Sequence, residues 1–182
     1  MNQVLTIVVL LGVLICCVWA ISTANRFARL EKLVQEAWAN VDVALKRRHD
    51  LIPNLVETVK AYAAHERELL EELIHARDKA VNGSAPDESQ LARVVNTVIA
   101  RAEAYPDLKA SENFIELQYE LSNSEDRIAA ARRFYNANVR DFNILLASFP
   151  ARVLSGGRAA KEFYEVETIS VRTSSIGGIA PP

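Results

Sequence analysis

Cysteine is nearly absent from this chain: Cys16 and Cys17 sit side by side in the first apolar stretch, and none follows. Past that stretch, a disulfide scaffold, a zinc finger and a cysteine nucleophile are therefore excluded. Histidine is almost as scarce, with His49, His65 and His75 the whole complement. A di-iron bundle needs two Glu-x-x-His pairs on facing helices plus two further glutamates, and only Glu72 with His75 has that spacing. His65 and Glu66 start like a zinc-protease motif, but Leu69 stands where its second histidine belongs. No metal or other cofactor is expected. Excess charge is missing too. With 21 Lys plus Arg against 23 Asp plus Glu, the formal net charge of -2 provides no basic field to hold nucleic acid. Neither a phosphate-cradling glycine loop nor a nucleophile elbow occurs, which removes the usual nucleotide-binding and hydrolase signatures.

Charge is altogether absent ahead of Arg26, and from Val4 to Ala24 only Thr6, Gly12, Ser22 and Thr23 interrupt an apolar run. A hydrocarbon core of ~30 Å takes roughly 20 apolar residues at the helical rise, so residues 1–25 are predicted to form a transmembrane anchor. Cleavage as a signal peptide is disfavoured, because Met1, Asn2 and Gln3 supply no cationic leader and the run exceeds a typical signal core. Arg26, Arg29 and Lys32 follow the span and no cation precedes it. That asymmetry predicts an outward N-terminus and a cytoplasmic body.

Beyond the anchor, apolar residues recur at three and four positions, the pattern of helices that bury a stripe. The first run passes through Val34, Trp38, Val41, Leu45, Ile52, Leu55, Val59, Tyr62, Leu69, Leu73, Ala76 and Ala80, and only Arg48 and Glu66 break it. One helix over that length would reach ~70 Å, ending at the breakers Asn82, Gly83 and Pro86. A second, shorter run has Leu91, Val95, Val98 and Ala102 as its stripe, Asp87 or Ser89 as N-cap, and its end at Tyr105 before Pro106. A third extends from Phe114 to Phe149 and is closed by Pro150. The predicted fold class is all-α: an N-terminal transmembrane helix, then an antiparallel bundle of long helices over 26–150, able to supercoil as a coiled coil. From Ala151 to Pro182 periodicity disappears, and an irregular, poorly ordered tail is expected, with Phe163 and Tyr164 as docking points or Val166, Ile169 and Val171 as a short extended piece. Trp38, Leu55, Tyr62, Leu69, Phe114, Phe134, Phe142 and Phe149 are the predicted stability core.

Pro53 stands in the middle of the strongest helical pattern. There it removes one backbone bond and crowds the carbonyl of His49, at ~3 kcal/mol or more. The helix either kinks or breaks with Asp50 as a new cap, and the uninterrupted phase of the stripe favours the kink. Something must offset the cost. Beside it lies the triplet Lys46, Arg47 and Arg48, which a straight helix would place ~33 Å from the membrane end near Ala24, too far for lipid attraction. Arg48 is expected to enter the seam and pair with a buried carboxylate while Lys46 and Arg47 stay solvated.

The stretches AWANVDVALKRRHDLIPNLVETVKAYAAHE, YPDLKASENFIELQYEL from Tyr105 and EDRIAAARRFYNANVRDFN from Glu125 resemble the LemA family in sequence and order, up to about Pro150. The resemblance implies a bacterial protein of the inner membrane with one N-terminal span and a helical-bundle body. It implies no catalytic residues. Its motif residues, Arg47, Arg48, Asp50, Pro53, Asn54, Tyr105, Pro106, Asp107, Lys109, Asn113, Tyr135, Asn136 and Asn143, are candidates for an interaction surface or for structural roles. His49 departs from the family, where an aromatic such as Tyr is common, and the tail after Ser155 is not matched.

The function expected from these features is a non-enzymatic membrane-anchored scaffold or interaction module. Asn54, Asp107, Lys109, Asn113, Tyr135, Asn136 and Asn143 then either satisfy one another where bundle ends meet or face a partner. The alternative is a self-assembling membrane organiser and possible homo-oligomer, motivated by a first run that outlasts the second and so leaves apolar face uncovered. A metal-dependent enzyme is the remote third reading.

Overall fold

The structure, a computed structural model, describes residues 2–63 and 66–164. Five helices follow in order: α1 (Asn2–Tyr62), α2 (Arg67–Val81), α3 (Ala85–Ala102), the single turn α4 (Pro106–Lys109) and α5 (Glu112–Ala147), then a 3-10 turn at Ala151–Leu154. The architecture is all-α, a long apolar N-terminal helix leading into an antiparallel bundle. Val166, Ile169 and Val171 lie outside the described residues.

The predicted ~70 Å helix ending at Ala80 is corrected in both directions. Its N-terminal part merges with the apolar stretch into one helix, while its C-terminal part stops at Tyr62 and folds back as α2. Arg77 Nε donates to the His49 carbonyl at 3.3 Å; in a continuous helix these residues would lie ~42 Å apart. No proline or glycine marks the reversal. Burial accounts for it, since Leu70, Leu73, Ala76 and Ala80 leave water in a core shared with Leu51, Ile52, Leu55 and Val59 of α1 and Leu91, Val95 and Val98 of α3. The helix runs unbroken through Pro53, which excludes the break at Asp50.

At the α2–α3 turn, neither Asp87 nor Ser89 is the cap. Ser84 takes that position, and the Asp87 carboxylate reaches back to accept from its N–H and Oγ–H, both at 2.8 Å. Those bonds hold the Asp87 carboxyl below its ordinary value. Gly83 is obligatory by contact, because a Cβ there would collide with the Lys79 carbonyl and Asp87. α3 ends at Ala102, earlier than expected, and Pro106 starts α4 as a first-turn proline.

α1 and α5 are antiparallel. Phe27 meets Phe142 edge-to-face at 6.2 Å, Trp38 meets Tyr135 at 5.2 Å and Arg48 meets Glu125 at 2.8 Å, so residue numbers fall on one helix as they rise on the other. In the half far from the apolar N-terminus, α1, α2, α3 and α5 enclose a core that includes Leu55, Leu73, Leu91, Val98 and Phe114. In the near half only α1, α5 and the 3-10 turn share a smaller core of Phe27, Val34, Val139, Phe142, Leu145 and Ala151.

Of the predicted core, Leu55, Phe114 and Phe142 are buried and Leu69 is half-buried, but Trp38, Tyr62, Phe134 and Phe149 are exposed. Tyr62 closes α1 at the reversal and Phe149 lies beyond the end of α5, where helical phase no longer applies. Phe134 is one position off the stripe. Trp38 points to the seam's edge, where no third helix reaches, and it stacks obliquely on Tyr164 at 5.9 Å.

Candidate functional site

The two halves meet at a buried ionic cluster. Arg48 interrupts the apolar stripe of α1 and Glu88 continues, one turn earlier, the Leu91, Val95, Val98 stripe of α3; both are almost fully buried. Arg48 Nη2 donates to Glu88 Oε2 and, at 3.3 Å, to the Glu88 carbonyl, while Nη1 reaches Glu125 Oε2 on α5 at 2.8 Å. His49 Nε2 lies 2.7 Å from the other Glu88 oxygen, and since a carboxylate only accepts, the imidazole donates there. Burial by itself pushes the Glu88 carboxyl up. The His49 hydrogen bond and the Arg48 guanidinium outweigh it and hold that carboxyl below its ordinary value. One guanidinium thus ties α1, α3 and α5 together through its two Nη atoms, while its Nε is buried with no hydrogen-bond partner among the described residues.

Next to it, Pro53 cannot supply the N–H that the His49 carbonyl would otherwise accept. Arg77 of α2 donates to that oxygen instead, so the proline is offset from a neighbouring helix. A cleft of about 430 Å³ opens beside the cluster between α1, the α2–α3 turn and Tyr164, with Asp42, Lys46, Asp50 and Arg77 in its walls.

The motif residues fall into separate places. Arg47 is exposed and pairs with Glu120 at 2.8 Å; with Asn54 and Asn113 it lines a shallow groove between α1 and α5. Asp50 faces the cleft and Pro53 is exposed. Tyr105 is half-buried and its hydroxyl donates to Glu66 Oε1 at 3.0 Å, which raises the phenol's pKa and fastens the entry to α2. Pro106, Asp107 and Lys109 are exposed on α4.

Tyr135, Asn136 and Asn143 do not satisfy other motif residues; they hold the tail. The Asn143 amide donates to the Lys161 carbonyl and accepts from the Lys161 N–H, both at 2.9 Å. The Asn136 amide does the same for Tyr164, at 3.1 and 2.8 Å. Between them Tyr135 donates to the Glu162 carbonyl at 2.9 Å, and burial raises its pKa. Seven helical residues rise ~10.5 Å and three extended residues span ~10 Å. Side-chain amides two turns apart can therefore each mimic a paired peptide group of an extended strand. Within the described part of the tail, 151–164, Ala151 and the expected docking point Tyr164 are buried, and Glu31 draws in Arg158 and Lys161 at 3.7 and 3.6 Å. Phe163 is exposed.

Sequence reasoning overlooked Glu88, Arg77, Glu125 and Glu31. For Glu88 a signal existed, because it lies on its helix's apolar stripe just as Arg48 does. Arg77 and Glu31 carry no such mark. Glu72 and His75 are both exposed on α2. Among the described residues, no three His, Cys, Asp or Glu side chains are grouped to hold a metal.

The sequence model of the LemA family matches residues 37–175, from α1 through the whole bundle and past Pro150. Protein LemA of Metamycoplasma hominis is 28% identical over 163 residues, covering 84% of this chain and 74% of its own length. Magnetosome protein MamQ of Magnetospirillum gryphiswaldense is 21% identical over 175 residues, and Magnetosome protein MamQ 2 of Paramagnetospirillum magneticum 24% over 178. The chain spans 64% of the length of each MamQ protein, just under two thirds.

Proposed function

Because the chain belongs to the LemA family, we propose that it is a non-enzymatic, single-pass membrane protein whose bundle serves as a scaffold for protein partners. The carrying observation is the continuity of α1. Its N-terminal part is long and apolar enough to cross a membrane, with side chains exposed throughout, and it enters the bundle without a break or linker. From Arg26 to Tyr62 the same helix continues for ~55 Å, so the far half is carried away from the apolar stretch on one continuous helix. The charged groups that converge at the junction are mutually paired, which suits a structural lock better than acid–base chemistry.

The body is assigned to the cytoplasmic side of a bacterial inner membrane, on the strength of Arg26, Arg29 and Lys32. With Cys16 and Cys17 replaced, Asn82→Cys at the exposed α2–α3 turn should react with an impermeant thiol reagent only after lysis; labelling of intact cells reverses the orientation. Crosslinking in native membranes, with the captured proteins identified, tests the scaffold. Absence of any protein specific to the full chain over an anchor-deleted control rejects it.

Self-assembly is the second reading, on altered grounds. The uncovered length that first motivated it is absent, because α2 folds back over α1. Exposed Ile115 and Tyr119, one turn apart on α5, supply an apolar patch in its place. Size measurement in mild detergent decides, and a monomer at micromolar concentration removes this reading.

A further inference from the structure

The corner between α5 and the tail carries two large apolar side chains that nothing among the described residues covers: Phe149 is 86% and Val153 75% exposed. They are not on a loose end. Ala151, between them, is buried in the near core, and Arg152 N–H donates to the Ser148 carbonyl at 2.8 Å, so the turn that buries Ala151 holds its neighbours outward. The register of α1 and α5 gives their height. Phe142 is level with Phe27, and continuing ~7 Å along α5 to its end at Ala147 brings the chain level with about Ser22 on α1. Thr23 is the first buried residue of α1, and residues before Ala20 are exposed. The corner therefore lies where the bundle ends and the apolar stretch begins.

We infer that this corner is a second membrane contact, with Phe149 and Val153 inserted at the border between headgroups and acyl chains. The inference rests on reading residues 1–25 as the span. Three observations select lipid as the occupant. The exposed pair is continuous with the exposed apolar surface of α1. Trp19 lies at a comparable height, and its indole, apolar but for one N–H, is a side chain that favours membrane interfaces. Arg26, Arg29 and Arg152 are exposed around the corner, at the level where anionic headgroups stand. A helix anchored alone is free to tilt. Contact at a second point beside it fixes the tilt and rotation of α1, and so the direction in which the far half projects.

The test uses full-length protein in phosphatidylcholine and phosphatidylglycerol vesicles whose acyl chains are brominated close to the headgroup. Phe149→Trp, in a chain also carrying Trp19→Phe and Trp38→Phe, reports the corner. Trp38→Phe alone leaves Trp19 to report the span, and Trp19→Phe alone leaves Trp38, ~28 Å further along α1, as the aqueous reference. The introduced indole should emit at shorter wavelength than Trp38 and be quenched by the brominated chains while Trp38 is not. Long-wavelength, unquenched emission beside a quenched Trp19 overturns the inference and leaves the anchor standing. Short-wavelength emission without quenching also overturns it, because the cover is then protein. An unquenched Trp19 removes the span and the inference together. Should Phe149→Trp disturb the helical spectrum, Val153→Trp makes the same measurement independently.

Discussion

The far and near halves of the bundle solve one packing problem with different materials. In the far half four helices surround the seam, and apolar stripes close it almost unaided: Leu55, Leu73, Leu91 and Phe114 are all essentially inaccessible. In the near half only α1 and α5 continue, and two helices cannot enclose a stripe from every side. There the chain lays an extended segment into the groove, fastened by Asn136 and Asn143 amides and capped by Tyr164 against Trp38 and Arg132. Between the halves stands the Arg48, His49, Glu88 cluster, where apolar packing hands over to directional bonds. The contrast teaches that helix number decides whether side-chain volume suffices or hydrogen bonds must complete the surface.

Cutting the junction should have the largest effect. Arg48→Ala leaves Glu88 buried without its main counter-charge, at ~3 to 5 kcal/mol by the usual cost of breaking a buried pair. Denaturant unfolding of the full chain in detergent, followed by helical signal, measures it; a loss under ~1 kcal/mol, the scale of exposed pairs, would show that the cluster is hydrated and that the halves are not joined there. The same bond has a pH signature. Glu88's carboxyl is lowered by folding, so its contribution is complete above the ordinary carboxylate range and is lost as pH falls through that range toward the folded value. Stability should decline on acidification, and Glu88→Gln, less stable at neutral pH, should flatten that part of the profile. An unchanged slope would place the acid sensitivity elsewhere.

Core truncation comes next and compares the halves directly. Leu55→Ala in the far half should cost ~2 to 5 kcal/mol and Phe142→Ala in the near half ~3 to 5. If the halves form one cooperative unit, both variants lower a single transition. Two separated transitions, with Phe142→Ala moving only one, would divide the molecule at the ionic cluster. Smaller still, Asn136→Ala or Asn143→Ala removes two hydrogen bonds to the tail backbone, roughly 1 to 3 kcal/mol. Faster amide exchange should then be confined to residues 158–164; protection unchanged at Lys161 in Asn143→Ala would mean that the amide ladder does not hold the segment. The smallest effect belongs to Glu71→Ala on the outer face of α2, where an exposed partner, Arg67 at 3.0 Å, is lost. A change beyond ~0.5 kcal/mol would mark that face as something other than solvated surface.

Much of the fold was legible because stripes at three and four positions are local and redundant. Val34, Val41, Ile52, Leu55, Leu91, Val98, Phe114 and Phe142 are buried where the period puts them. The candidate site was legible by halves. A charge on an apolar stripe announces that it needs a partner, as Arg48 does, but the partner's identity is non-local, with Glu88 forty residues away. Tyr135, Asn136 and Asn143 stand out in the sequence as candidates for a structural or interaction role, but an asparagine on a helix does not say what backbone will lie beside it.

By itself the sequence determined that this is a helical protein with one long apolar N-terminal stretch, that Arg48 must find an anion, that Pro53 demands compensation, and that polar breaks fall after Val81 and ahead of Pro106. Periodicity, desolvation and the missing proline N–H act within a few residues of chain, so they can be read along it. Only the tertiary structure decided that the first run reverses after Tyr62, that Arg77 takes the His49 carbonyl and that residues 158–164 complete the near half. Nothing in Ala61-Tyr62-Ala63 forbids a helix. The reversal exists because it buries the face of α2 in a core shared with α1 and α3, a gain carried by contacts between segments and invisible in any one segment alone.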